Sequence, residues 1–266
     1  MAETTDKTET KTDNQTDNKT TGKTESKIEN KTEDNTENKT EEKLKSSTFI
    51  IDQLLGGYEK DIITTIYGPA GSGKTTLCLL ASISASQLGK KVIFVDTEGG
   101  FSLTRFNQLI NQFENKDMLK NIFILKPTTF HDQHKAIERL NNMINESIGL
   151  IVVDTIGMLY RVEIGKKQAI KEINNMLSVQ LNLLTEITRK YNIPILLTNQ
   201  VYSDFDERNA IKIVGGDIIT YASKCLLELK KGANNVRVAI VRKHRSIPDG
   251  KEAKFKIVED GFGAID

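Results

Sequence analysis

Residues Asp61 to Leu80 read DIITTIYGPAGSGKTTLCLL, and the fold follows from them. Ile62, Ile63, Ile66 and Tyr67 form a short apolar, β-branched run that predicts a buried strand, and Gly68-Pro69-Ala70-Gly71-Ser72-Gly73-Lys74-Thr75 follows at once. A glycine-rich octet of this form between a strand and an apolar helix is a P-loop. Glycines at 68, 71 and 73 let the backbone turn sharply, so that its N–H groups can surround phosphate oxygens at the positive end of the helix beginning near Lys74. Lys74 is placed to reach the β- and γ-phosphates as a point charge, and the Thr75 hydroxyl to ligate a bridging Mg²⁺. Thr76 adds a second hydroxyl with no assigned task. An α/β nucleotide-binding core is expected.

The chain has 266 residues, with Lys+Arg 37 against Asp+Glu 36, two cysteines and no tryptophan. Net charge therefore says nothing about partners, but its distribution does. Residues 1–46 repeat Lys, Glu, Asp, Thr and Asn, with Ile28 and Leu44 almost the only large apolar side chains. Such a segment cannot bury enough surface to offset the entropy of ordering it, and a disordered tail is expected there. Residues 47–266 have the size of one domain. No apolar run approaches a membrane span or a signal segment, and Cys78 and Cys225 have neither disulfide nor metal spacing. A reduced, cytoplasmic compartment fits best. Both cysteines lie in apolar runs and read as small core residues.

Beyond the P-loop helix, Lys91-Val92-Ile93-Phe94-Val95-Asp96 predicts a second strand closing in Thr97-Glu98-Gly99-Gly100. In an open α/β sheet the C-terminal strand ends hold the ligand, so Glu98 can face the phosphates and orient or deprotonate a water. Taken alone, it reads equally well as a solvated loop acid. Ile122 to Leu125 predict a third strand, and the helix after it begins near His131 and His134, which lack a third metal ligand and are expected in solvent. Gly149 to Asp154 form an apolar strand ending in an acid, the Walker B pattern, and Asp154 would hold the Mg²⁺ shell with Thr75. Thr155 to Lys167 read as a loop mixing Tyr160 with Arg161, Lys166 and Lys167, ahead of a long helix from about Ala169 to Tyr191 whose apolar stripe is core.

Ile195 to Gln200 predict another buried strand ending in polar side chains, where the Gln200 amide can bond the terminal phosphate or the attacking water. Residues 201–214 follow as a polar loop that could act as a switch. Gly215-Gly216 closes it before a helix to about Ala222, and three closing strands are expected over 224–229, 236–241 and 253–258. Their basic residues, Lys224, Lys230, Lys231, Arg237, Arg242 and Lys243, read as a solvated face or as a basic surface for a partner.

Asp96-Thr97-Glu98-Gly99, Leu159-Tyr160-Arg161, Thr198-Asn199-Gln200-Val201 and Gly215-Gly216-Asp217-Ile218-Ile219 together resemble the RecA/RadA recombinase family, and most of all its archaeal branch consisting of the ATPase core. The resemblance covers the chain from about Ser47 onward. It implies a RecA-like P-loop NTPase, with a central mostly parallel sheet flanked by helices and antiparallel strands at the C-terminal end, and ATP with Mg²⁺ as ligand. It implies that Glu98 positions the hydrolytic water, that Gln200 couples nucleotide state to DNA, and that 156–167 and 201–214 are DNA-facing loops, with Arg161 at a DNA-contacting position. Lys243-His244-Arg245 is similar both to the nucleotide cap of recombinases and to the Lys-x-Arg pair that ring ATPases insert into a neighbour's site. Lys243 and Arg245 would then act in trans, with His244 pointing outward.

The departures from the family matter as much. Residues 1–46 cannot be the folded DNA-binding domain that precedes a full recombinase core, and the linker motif Phe-x-x-Ala is replaced by Phe49-Ile50-Ile51-Asp52. The second loop carries Asp204, Asp206 and Glu207 against Arg208, which would repel a phosphate backbone. The expected function is an ATP-binding accessory factor of homologous recombination and DNA repair. It would bind single-stranded or junction DNA weakly and act on an archaeal RadA-type recombinase or a Holliday-junction resolvase, with self-association possible and no membrane involved. The alternatives are an active filament-forming recombinase and a ring-forming ATPase.

Overall fold

A computed structural model describes residues 43–114, 116–203 and 211–265 of the protein. The P-loop strand β1 (Ile63–Gly68) is buried along its whole length, which a strand can be only when helices or further layers cover both faces. Its parallel neighbours are β5 (Ile195–Ser203) on one side and β7 (Cys225–Lys231) on the other. Beyond β5 come β4 (Ile148–Asp154), β2 (Lys91–Asp96) and β3 (Ile122–Leu125), all parallel. Beyond β7 the sheet continues antiparallel through β8 (Val236–Lys243), β9 (Glu252–Val258) and β10 (Gly261–Gly263). A short β6 (Ile211–Ile213) pairs antiparallel with the end of β5. The first of the three closing strands is therefore parallel to β1, and only those after it reverse.

Alternation along the strands divides the core in two. Ile66, Val92, Phe94, Leu150, Val152 and Leu196 face one way, toward α1 (Phe49–Leu55), α2 (Lys74–Gln87) and α3 (Leu103–Ile110). Ile63, Ile93, Val95, Ile151, Val153, Ile195 and Leu197 face the other, toward α4 (Phe130–Met143), α5 (Met158–Gly165), α6 (Ile170–Tyr191) and α7 (Gly216–Ala222). Helix α2 crosses over β1, β5, β4 and β2, and is buried from Leu77 to Ser86. That explains its apolar run without a polar stripe. Cys78 and Cys225 are free and buried, and burial pushes the Cys225 thiol up to about 12 and the Cys78 thiol well above its ordinary range.

Several expectations change in detail. Most of the polar tail lies outside the described residues, but its last residues belong to the folded core. Leu44 is buried and exchanges backbone hydrogen bonds of 2.8 Å with Tyr58, because the chain here pairs as a bridge and contributes one apolar side chain to the core. The loop expected from Thr155 to Lys167 is helical from Met158, since Leu159 and Tyr160 can bury together against the α4 and α6 face. At the first turn of the long helix Ile170 is half exposed, while Ile173, Leu177, Leu181, Leu184 and Ile187 form its buried stripe. Among the described residues no helix is long and apolar enough to cross a membrane.

Candidate functional site

Four parallel strands end side by side. Gly68 stands level with Gln200 on the neighbouring strand, and Asp96 with Asp154. The chain leaves β1 at Gly68 with φ 155, and a Cβ there would sit 2.3 Å from the Leu229 carbonyl, so only glycine lets the P-loop start against β7. Gly73, at φ 107, caps α2 without a side-chain acceptor, leaving the first-turn N–H groups turned toward the loop.

Lys74 is buried, and its ammonium donates to the carbonyls of Gly68 (2.9 Å) and Pro69 (3.0 Å). Burial pushes its pKa down, opposed by the nearby charges of Asp154 and Glu98. The loop thus folds around a cation that has no carboxylate within ion-pair distance among the described residues, an arrangement suited to an anion. Ser72 Oγ, also buried, has no hydrogen-bond partner among the described residues.

Thr75 Oγ1 donates to Asp154 Oδ2 at 2.8 Å, which brings together the hydroxyl and the carboxylate that Mg²⁺ would use. The second Asp154 oxygen accepts from Thr198 Oγ1. Burial raises the Asp154 pKa, and these two bonds pull it back by favouring the charged form. Thr198 was not singled out in the sequence, yet it sits one turn of the pleat before the predicted Gln200. Its signal was a hydroxyl at the polar end of an otherwise apolar strand.

Glu98 is oriented from three sides. Asp96, buried, accepts from the N–H groups of Gly100 (2.8 Å) and Phe101 (3.2 Å) and so fixes the turn that carries Glu98. Thr97 Oγ1 donates to the Thr155 carbonyl and accepts from the Thr155 N–H, both at 2.8 Å, tying the β2 and β4 ends together. Glu98 Oε1 then accepts from Thr155 Oγ1 (3.1 Å) and from Gln200 Nε2 (2.8 Å). A purely solvated loop acid would not be gripped in this way. Thr155 received no role from the sequence because it looks like an ordinary loop residue until the strand ends are placed side by side, and Asp96, read as the last residue of the second strand, received none because its side chain acts on the turn behind it.

Ala70, Gly71, Gly73, Lys74, Thr75, Thr76, Glu98, Asp154 and Gln200 all line one cavity of about 230 Å³. A second cavity, of about 490 Å³, adjoins it and is lined by Gly157, Met158, Arg161 and Val214. Glu98 and Gln200 line both, so this hydrogen-bonded pair is the wall between them. Asn199 Nδ2 donates to the Val214 carbonyl at 2.7 Å, linking the strand end to the return of the following segment. Residues 204–210, the acid-rich centre of the second DNA-facing loop, lie outside the described residues.

Other predicted residues fall elsewhere. Tyr160 is buried against Phe130 and donates to Asn174 Oδ1 at 2.8 Å, so it is not a stacking platform, whereas Arg161 beside it is exposed. His134, expected in solvent, is mostly buried with Nε2 at 3.4 Å from Glu138, and no metal-binding cluster exists among the described residues. Lys243 donates to the Thr220 carbonyl (2.8 Å), and Arg245 bonds Glu59 (2.7 Å) and Asp61 (2.9 Å and 3.0 Å). His244 points inward, not outward, with a side chain 1% exposed and Nε2 3.4 Å from the buried Glu59 carboxylate, to which Arg245 is also drawn. Asp61 precedes β1, so Arg245 lies at the opposite end of the sheet from this chain's P-loop, a strand length of roughly 20 Å away.

A family model described as Rad51 matches residues 42–265. The chain is 40% identical over 219 residues to the DNA repair and recombination protein RadB of Methanobrevibacter smithii, covering 80% of this chain and 92% of that protein. It is 41% identical over 216 residues to RadB of Methanocaldococcus jannaschii, covering 80% and 98%. Among solved structures, the RadB recombinase superposes with a TM-score of 0.72 at 35% identity, covering 84% of this chain and 100% of that one.

Proposed function

The chain belongs to the Rad51 family, and from that premise we propose that it is an ATP- and DNA-binding accessory protein of homologous recombination and DNA repair, with weak ATPase activity. It would modulate a full RadA-type recombinase or the processing of Holliday junctions. The observation that carries this reading is the Glu98–Gln200 bond, which joins the P-loop cavity to the cavity beside Arg161.

In this reading ATP with Mg²⁺ supplies the phosphoanhydride to be cleaved and part of the charge neutralisation. Lys74 and the loop amides hold the phosphates, Thr75 and Asp154 hold the metal, and Glu98 orients a water while Asp96, Thr97 and Thr155 fix its position. Gln200 reports occupancy by keeping or releasing Glu98, and Arg161 meets a DNA phosphate as an exposed cation. The accessory role is supported by the first helix. Where the family's linker motif would stand, Ile50 and Ile51 are buried in this chain's own core, leaving Phe49 partly exposed on α1 rather than on a free tether. Any action of Lys243 and Arg245 on a neighbouring subunit requires exchange of their bonds to Thr220, Glu59 and Asp61.

ATP turnover measured against protein concentration, with and without single-stranded DNA, tests the proposal. Slow turnover that stays flat with concentration is expected, with nucleotide binding abolished in Lys74→Ala and hydrolysis slowed but binding spared in Glu98→Gln. A specific rate that climbs with both concentration and DNA would identify an active recombinase with sites completed between subunits.

A further inference from the structure

The basic residues of the closing strands divide according to the pleat. Lys230 and Arg242 turn to Glu228, at 3.7 Å and 2.7 Å. Lys231 instead continues the face of Leu229, whose carbonyl abuts Gly68, and reaches the P-loop. Its ammonium stands 3.3 Å from the point a Cβ on Gly71 would occupy, with Cε at 3.6 Å. Opposite it in register, Arg237 donates from Nε to the Gly71 carbonyl at 3.3 Å. The β7–β8 hairpin therefore lays two cations on Gly71, one of the loop residues that line the phosphate cavity.

We propose that Lys231 is a second lysine of the phosphate site, delivered in cis by this hairpin, and that it binds the terminal phosphate of a nucleoside triphosphate and makes the site prefer tri- over diphosphates. The inference rests on the nucleotide reading of the P-loop given above.

Three arguments support it. Among the described residues Lys231 has neither an ion-pair partner nor a hydrogen-bond acceptor, unlike Lys230 beside it on β7 and Arg242 on β8. A lysine on a merely solvated face has no reason to lie over a glycine-rich loop beside two other cations. Like charges at Lys74, Lys231 and Arg237 repel until an anion sits among them, so the hairpin is arranged for one. The positive charge of Lys231 adds to the burial that already pushes the Lys74 ammonium down, which places the two within electrostatic reach of each other. Finally, Gly71 adopts φ 68 and carries no Cβ, so the Lys231 side chain can approach the loop backbone at the position where a larger residue would displace it. An ammonium on a four-carbon stem can swing from the rim of Gly71 onto a phosphate without moving the backbone.

The test compares ATP and ADP affinity, with Mg²⁺, by competition against a fluorescent nucleotide in the full chain, Lys231→Ala and Lys231→Arg. Lys231 is exposed, so both variants are expected to fold with unchanged melting temperature. Lys231→Ala should lose about tenfold in ATP affinity but less than about threefold in ADP affinity, as expected for one cation near a partly solvated phosphate. Lys231→Arg should restore ATP affinity to within about threefold. ATP affinity unchanged in Lys231→Ala, an equal loss for both nucleotides, or no recovery in Lys231→Arg would each overturn the proposal while leaving the nucleotide site intact. If the unmodified chain binds neither nucleotide, the nucleotide reading itself fails and the role of Lys231 fails with it.

Discussion

Replacing Thr198 by valine keeps the shape of a side chain that is 0% exposed and removes one hydrogen bond to a carboxylate that is 3% exposed. A hydrogen bond to a charged group contributes about 1.5–3 kcal/mol, so Thr198→Val should lose about that much stability at neutral pH, or about 4–10 °C in Tm for a domain of this size. The pH dependence follows from Asp154. Burial holds its folded pKa above the ordinary carboxylate range, so its protonated form suits the fold. The cost of ionising it is absent below the unfolded value and grows as pH rises from that range through the folded value. Losing Thr198 raises the folded value further, because a bond that favoured the charged form is gone. The deficit of the variant should therefore be largest near pH 8 and shrink toward the acid end of the range in which both proteins fold. Urea unfolding across that range measures it. A deficit that does not vary with pH, or one of the same size in an Asp154→Ala background, would refute the reasoning, since it would then come from packing alone.

Three further outcomes are expected. Gly68→Ala places a Cβ 2.3 Å from the Leu229 carbonyl at φ 155, where neither backbone can yield, and should cost several kcal/mol (about 2–4) together with nucleotide binding. Gly89→Ala, with φ 70 but nothing within 4 Å, should cost only about 1–2 kcal/mol, and thermal melts of the two variants would reveal any failure of that order. Tyr160→Phe should lose about 1 kcal/mol through its bond to Asn174, whereas an unchanged melting temperature would show the hydroxyl facing solvent.

Much of the site could be read from local pattern. Gly68 to Thr75, Asp154, Glu98 and Gln200 each stand at the end of an apolar run, and a parallel sheet brings such ends to one edge whatever its exact strand order. Continuous apolar runs ending in polar residues, together with the glycine punctuation, therefore pointed to the P-loop, the Walker B acid and the α/β core. Residues whose meaning depends on a partner distant in the chain could not be read this way. Thr198 matters only because β5 runs beside β4, and Thr155 only because β2 lies on the other side.

The same limit explains the misplacements. Tyr160 beside arginine and lysine looks like a nucleic-acid contact in one dimension, and it is the packing of α5 against Phe130 and Asn174 that buries it. His244 between two basic residues looks solvated until Glu59, far earlier in the chain, is found buried behind it. Lys230 and Lys231 are adjacent and chemically identical, yet the pleat turns one to Glu228 and the other to the P-loop. Strand formation and chemistry are written in short-range pattern because backbone sterics and periodicity act over a few residues. The pairing of charges and hydroxyls depends on which strands become neighbours, and that is settled by burial of the two apolar faces across the whole sheet.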